Sequence, residues 1–392
     1  MRTRMAVALA AALSLMAGGV AVALPSGPKS AALSDSHVRR PAVNARLAGA
    51  LGARGEMRGM ALNDIQPTGR GLLAEAADFP RMALEGITSV AIYVYLYVDD
   101  PNATQVHSGL LTPQDTEITT LATAAKLSGM TMQLQPVLLD TQSSTWRGRY
   151  VPSDVNAFFA SYDAQVLHYA DLATSIGASL FYVGSENDAI ANYTAQWTSL
   201  IASVRQHFSG ALSYMSTGYT PLKVRFWNKL DVVSISPYFS LGVDATPTYD
   251  RARAAWSESH TPYVRSLIKK LKMPIIYGEA GYHSQQHTYA QPQAAGPVTA
   301  LAAPAAQADA YAALLDVMSQ EPGVYGVTWW RWASGTTIAD TSYSPNGKPA
   351  ECVIAQHWST NAVVRQLAAG PQCDLHAFDA GLVSLAGLLN SA

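Results

Sequence analysis

Charge, cysteine and metal-binding patterns are all scarce in this sequence. Only 14% of its 392 residues are charged, and 26 basic side chains nearly offset 28 acidic ones, for a formal net charge of −2. Nucleic acid and anionic membranes both reward a basic face, so neither is expected as a main partner. There are two cysteines, no CxxC and no HExxH, and the nine histidines are scattered. No metal site and no cofactor are therefore expected. No GxGxxG or GxxxxGK[ST] follows the first strand, which removes the usual reason to expect a nucleotide-binding doubly wound sheet. Past the N-terminus no apolar run is long enough to span a bilayer. No repeat is visible beyond an alternation of strands and helices.

Hydrophobic residues, by contrast, make up 49% of the chain, enough to bury a sizeable core. At the N-terminus Arg2 and Arg4 precede an apolar run from Met5 to about Val22, and Val20-Ala-Val-Ala23 supplies small residues of the kind a signal peptidase reads. Residues 1–23 are read as a secretory signal, an uncleaved anchor being the alternative. That reading predicts a secreted protein without stable membrane association, acting as a monomer. Residues 24–56 read as an N-terminal extension with one short helix, 57–367 as the main domain and 368–392 as a short C-terminal tail. In an exported protein Cys352 and Cys373 are expected to pair.

Strand signals recur at 57–63, 90–98, 130–140, 180–187, 211–217, 232–238, 273–280 and 324–332. Helical patterns separate most of them, at 71–85, 154–176, 193–207 and 307–318 among others. A helix ending near Leu127 is expected to start with Thr112 as N-cap and Pro113 at its first position. A helix is expected to run to about Lys272. In 90–98, Tyr93, Tyr95 and Tyr97 alternate with apolar residues, so both faces are covered, as in parallel sheets. Gln133 and Gln135 lie within an apolar strand and need partners, which a barrel interior can supply. Eight strands alternating with helices predict an α/β fold, a (β/α)8 TIM barrel; the doubly wound sheet is the other architecture.

Two of these strands end on a glutamate. In Met273-Pro-Ile-Ile-Tyr-Gly-Glu-Ala-Gly-Tyr282, strict alternation puts Glu279 on the side of Tyr277 and Ile275. In Leu180-Phe-Tyr-Val-Gly-Ser-Glu-Asn187 it puts Glu186 with Tyr182 and Gly184. The C-terminal ends of barrel strands surround one mouth. Two carboxylates facing each other there suit glycosidic bond cleavage: one donates a proton to the leaving oxygen, and the other attacks the anomeric carbon or activates water. Tyr238, Trp146, Trp330 and Trp332 occupy strand-end or loop positions from which rings could stack on sugars. Thr328, Trp330 and Trp332 share one parity, as do Ser234, Ser236 and Tyr238. Arg147 is a further candidate for substrate contact, and Asn63, Asn187 and His283 are weaker ones; Asp99, Asp100 and Asp140, also at strand ends, could cap helices or support the site from behind.

Several of these stretches occur together in a familiar order: Trp146-Arg-Gly148, Gly184-Ser-Glu186, Tyr238, Pro274-Ile-Ile-Tyr-Gly-Glu-Ala-Gly-Tyr282, Trp329-Trp330 and Tyr343-Ser-Pro-Asn-Gly-Lys-Pro-Ala-Glu351. Between about Met57 and Trp358 the chain resembles glycoside hydrolase family 113, a clan A barrel family that contains endo-β-1,4-mannanases. The resemblance implies a β-linked polysaccharide as substrate, with mannan first. It implies Glu186 as acid/base and Glu279 as nucleophile, with retention of configuration. Glu186 would then have to start out protonated, which an apolar strand end and a negative Glu279 would favour. Ser185 departs from the asparagine common before the acid/base in that clan. The alternative reading is a carbohydrate-binding barrel without catalysis.

Overall fold

A computed structural model describes residues 41–62, 71–142, 145–242, 247–294, 300–369 and 373–390. The proposed signal segment and Asn63 lie outside the described residues. The chain begins with a short helix, α1 (Ala45–Leu51), and a strand, β1 (Met57–Leu62). A 3-10 stretch leads into α2 (Phe79–Leu84), then come β2 (Ser89–Val98), the two-residue β3 (His107–Ser108), α3 (Asp115–Leu127) and β4 (Thr131–Asp140). Next are α4 (Val155–Ser175), β5 (Leu180–Ser185), α5 (Thr194–His207), β6 (Ala211–Thr217) and β7 (Val233–Ser236). The last barrel part holds α6 (Tyr249–Ala255), α7 (Thr261–Leu271), β8 (Ile275–Ala280), α8 (Pro304–Ser319) and β9 (Val324–Trp332). Three helices follow: α9 (Pro349–Trp358), α10 (Ala362–Ala368) and α11 (Leu375–Asn390).

β1, β2 and β4 to β9 run parallel, and β1 pairs with both β2 and β9. The ring is therefore closed, and a doubly wound sheet, which has two free edges, is excluded. β3 is an antiparallel addition to the end of β2.

Side-chain alternation sorts each strand into an outer and an inner set. On β2, Val90, Ile92, Val94 and Leu96 pack outward under the helices, while Ala91, Tyr93, Tyr95 and Tyr97 point into the barrel. The interior is layered. At the bottom, Leu47, Ala50 and Leu51 of α1 close the barrel against Met57, Leu180, Val232 and Tyr325. In the middle, Gln133 Nε2 donates to Ser89 Oγ (3.1 Å) and Thr328 Oγ1 (3.2 Å), and Gln135 Nε2 donates to Ser185 Oγ (3.1 Å). Both side-chain amides thus donate within the barrel centre. At the top, Tyr93, Tyr95, Tyr97, Val137 and Trp330 form the floor of the mouth. Burying each such ring stabilises the fold by roughly 2–3 kcal/mol.

One local expectation is corrected. α3 starts at Asp115, not beside Thr112. Thr112 Oγ1 instead donates to Tyr95 O and accepts from Gly109 N (2.7 Å), tying the loop to β2. The helix before β8 is interrupted by a π turn, Trp256–His260. Pro262 has no N–H to donate four residues back, so the hydrogen-bond register breaks there. After residue 367, Phe378 and Leu382 of α11 pack with Cys352, Ala355 and Val364. Arg81 of α2 donates to Glu351 (2.6 Å) and also pairs with Asp379 of α11. The Cys352–Cys373 disulfide fastens the same region.

Candidate active site

Neither glutamate reaches the mouth by strict alternation. On β5, Leu180 and Tyr182 point inward, and Phe181 and Val183 outward. Gly184 also faces outward: a Cβ there would lie 2.7 Å from Trp197 Cη2 and 3.2 Å from Tyr214 Cε2. Ser185 faces inward again, and the ladder with β6 slips between Tyr182 and Ser185. Such a bulge re-aims the side chains that follow. Glu186 comes next with φ 53°, a left-handed conformation that residues with a Cβ seldom adopt. Gly184 and Glu186 therefore do not share a face.

β8 behaves alike. Ile275 and Tyr277 pack outward, Tyr277 with its ring 5.7 Å from that of Trp256, and Ile276 packs inward. The ladder with β9 slips between Tyr277 and Ala280, and Glu279 turns into the mouth. The expected grouping of Glu279 with Tyr277 and Ile275 is corrected accordingly. β9 shows a third irregularity. Its ladder with β1 slips between Met60 and Leu62, so that Leu62 lies opposite Trp332. Trp330 faces the mouth, its ring 4.7 Å from that of Tyr93, whereas Trp332 is fully buried in the outer layer and donates Nε1–H to Asp78 (2.8 Å). The reading of Trp332 as a sugar-stacking ring is withdrawn on that ground.

The two carboxylates share one mouth but have separate sets of donors. Glu186 Oε2 accepts from Arg147 Nη2 (2.7 Å) and Trp146 Nε1 (3.3 Å), and its Oε1 accepts from Ser236 Oγ. Gly148 makes this arrangement possible: a Cβ there would lie 2.2 Å from Trp146 Cη2, so only glycine lets the indole fold over the turn. Glu279 Oε1 accepts from Tyr238 OH (2.8 Å) and Oε2 from Tyr93 OH (2.8 Å). Burial and the negative Glu279 push both phenols up, so they remain protonated donors.

Burial, and after it the charge of Glu186, pushes the Glu279 carboxyl up to about 7, with Arg147 and the two tyrosines pulling the other way. Burial would lower Arg147, but Glu186 and Glu279 together hold it up as a cation. One arginine thus serves two carboxylates, and the first proton near neutrality belongs to the pair rather than to either member.

The remaining candidates fall into place around this pair. Asn187 is only 1% exposed; its Oδ1 accepts from Ser185 N (3.0 Å) and closes the turn behind Glu186, so it does not line the mouth. His283 is buried with its ring 3.6 Å from that of Tyr343, and burial lowers it to about 3. Asp100 and Asp140 each accept a backbone N–H two residues on, from Asn102 and Gln142. Tyr93 and Ser236 went unrecognised as site residues. The alternating tyrosines of β2 and the shared face of Ser234, Ser236 and Tyr238 were visible signals, but nothing in the sequence says which carboxylate each would meet.

The profile of Glycoside Hydrolase Family 113 matches residues 73–348. Among solved structures, the GH113 β-mannanase AaManA from Alicyclobacillus acidocaldarius, in complex with ManMIm, is similar with a TM-score of 0.68 at 26% identity, covering 78% of this chain and 97% of its own. A GH113 β-1,4-mannanase complex has a TM-score of 0.67 at 22% identity, covering 78% of this chain and 99% of its own. No curated protein matches the chain in sequence. With the family's profile spanning both carboxylate-bearing strands of this closed barrel, the chain belongs to glycoside hydrolase family 113 and is a glycoside hydrolase.

Proposed function

We propose that the protein is a secreted, retaining β-glycanase whose preferred substrate is β-1,4-mannan, with Glu279 as nucleophile and Glu186 as acid/base. The observation that carries this reading is the meeting of Glu186 and Glu279 at one mouth, each carboxylate held by its own donors and both within the field of Arg147. Mannan is favoured by the 26% identity to a β-mannanase across nearly the whole of that enzyme. Export is favoured by the Cys352–Cys373 disulfide, since such bonds persist in oxidising compartments.

In the first step a Glu279 oxygen bonds to the anomeric carbon as the glycosidic C–O bond breaks and Glu186 gives its proton to the departing oxygen. In the second, Glu186 takes a proton from water, the water oxygen bonds to the anomeric carbon, and the Glu279 carboxylate leaves. The pair must enter the cycle with one proton, and the coupled, buried carboxylates are suited to hold just one near neutrality. Substrate arrival has to place that proton on Glu186, where the leaving oxygen competes with Arg147 and Ser236 for the carboxyl.

The test is reducing-sugar release from mannan, xylan, glucan and chitin by the purified chain, with Glu279→Ala and Glu186→Ala alongside. Azide should partly restore Glu279→Ala and give the inverted glycosyl azide; with Glu186→Ala and an activated leaving group it should give the retained one. The opposite pattern would exchange the two roles. Binding to a glycan without hydrolysis of any would point to a carbohydrate-binding barrel.

A further inference from the structure

The turn that presents Glu186 is held by consecutive ties to β6. Glu186 N donates to Met215 O (2.7 Å) and Asn187 N to Tyr214 OH (2.9 Å). The next residue, Asp188, is fixed by its side chain: Oδ1 accepts from Thr220 Oγ1 (3.0 Å) and Oδ2 from Thr217 Oγ1 (3.2 Å). Ala189 N then donates to Gly148 O (3.0 Å), joining this turn to the one that carries Trp146 and Arg147. A left-handed residue with a Cβ persists only where its surroundings over-determine it, and these ties supply that constraint at Glu186. Asp188 is the one acidic side chain among them.

Its partners in those hydrogen bonds are neutral hydroxyls. The charged and titratable groups facing it are Glu186 from the end of β5, Lys223 from the segment after β6, and the Tyr214 phenol from β6 itself. Burial pushes the Asp188 carboxyl up to about 6; the Glu186 charge adds to this, while the threonines and Lys223 oppose it. Above that pH Asp188 is a third negative charge beside a pair that shares a single arginine.

We propose that Asp188 is a positioning residue for hydrolysis: its grip on Thr217 and Thr220 holds the Glu186 turn in place, and its negative charge favours the singly protonated state of the Glu186–Glu279 pair. The inference rests on reading the two glutamates as the catalytic pair. Like charges at short range through protein disfavour one another's ionised forms. Displacing a catalytic group by about an ångström can cost on the order of a hundredfold in rate.

Two variants separate the charge from the grip. Asp188→Asn deletes the charge, while its amide still offers an acceptor to one threonine and a donor to the other. The double variant Thr217→Val/Thr220→Val releases the grip; because the threonines also hold the Asp188 carboxyl down, it is compared with the parent well above the pH at which Asp188 titrates, where the charge is still carried. The free protein, carrying glutamate labelled with carbon-13 at its carboxyl, is titrated by NMR, a reading that needs no substrate. In Asp188→Asn the upper titration of the pair should fall by about half to one pH unit. The basic limb of kcat/KM on β-1,4-mannohexaose should move down with it. In the double variant kcat, compared at that pH, should fall roughly tenfold to a hundredfold with KM little changed. An unmoved titration in folded Asp188→Asn overturns the charge role, and full kcat in the double variant overturns the grip. If Asp188→Asn does not fold, the kcat of the double variant decides. A parent chain whose pair titrates in this way yet hydrolyses no glycan sinks the hydrolytic reading and leaves the charge coupling intact.

Discussion

Removing the Tyr93 hydroxyl isolates one contact that only the closed barrel creates. Tyr93 lies on β2 and is 3% exposed; its phenol donates to Glu279 Oε2 at 2.8 Å from a strand 186 residues away in sequence. Tyr93→Phe deletes that donor while keeping the ring that stands 4.7 Å from Trp330. A buried hydrogen bond to a charged acceptor contributes about 1.5–3 kcal/mol, and it does so for the ionised form of Glu279 alone. At about 1.4 kcal/mol per unit, losing it raises the Glu279 carboxyl by about one to two units, from about 7 in the parent. The direction follows from the role. A nucleophile must be ionised, and the proton that leaves near 7 is the one the active pair carries, so fewer pairs carry it on Glu186 and the basic limb of kcat/KM moves to higher pH. At pH 6 activity should drop on the order of tenfold to a hundredfold, and the loss should shrink as pH rises. Tyr238→Phe is the internal comparison: Tyr238 is only half-buried, so water can replace its hydroxyl and the shift should be smaller. The assay is the pH dependence of kcat/KM on a mannan oligosaccharide, with a melt to confirm folding. A basic limb in Tyr93→Phe that superimposes on the parent's would sink this account, as would a loss equal at every pH.

The outward turn of Gly184 predicts that Gly184→Ala cannot be accommodated without movement, because its Cβ would meet Trp197 Cη2 at 2.7 Å. A thermal melt should show destabilisation of about 1–3 kcal/mol, and kcat should fall as the Glu186 turn shifts; an unchanged melt would contradict the bulge. Cys352→Ser with Cys373→Ser opens a closure of 21 residues and should cost about 3 kcal/mol in the chain-entropy account. Limited proteolysis should then cut near α11 while kcat at 25 °C is retained, since the disulfide fastens outer helices and no part of the mouth. Loss of kcat in a folded serine variant would instead tie α11 to the site.

Much of the architecture could be read from local pattern. The strand at 90–98 declares itself through alternation covered on both faces, and the helix at 154–176 through Phe158, Phe159, Tyr162, Val166 and Tyr169 at helical spacing; the structure places α4 at Val155–Ser175 with Asp154 as its cap. What failed were statements about which way a residue points near a strand end. Gly184, Glu279 and Trp332 each lie on the far side of a ladder slip, and parity counted from the strand start misplaces them.

Eight strands, their covering helices and two glutamates at the ends of the fourth and seventh barrel strands are legible residue by residue, because apolar periodicity is a property of each segment alone. That Tyr93 meets Glu279, that Ser236 and Arg147 meet Glu186, and that Trp332 turns away depend on the assembled barrel. A residue is extra only in relation to the strand beside it, and a buried charge takes its proton affinity from groups far off in the chain. Both are settled when the ring closes and not before.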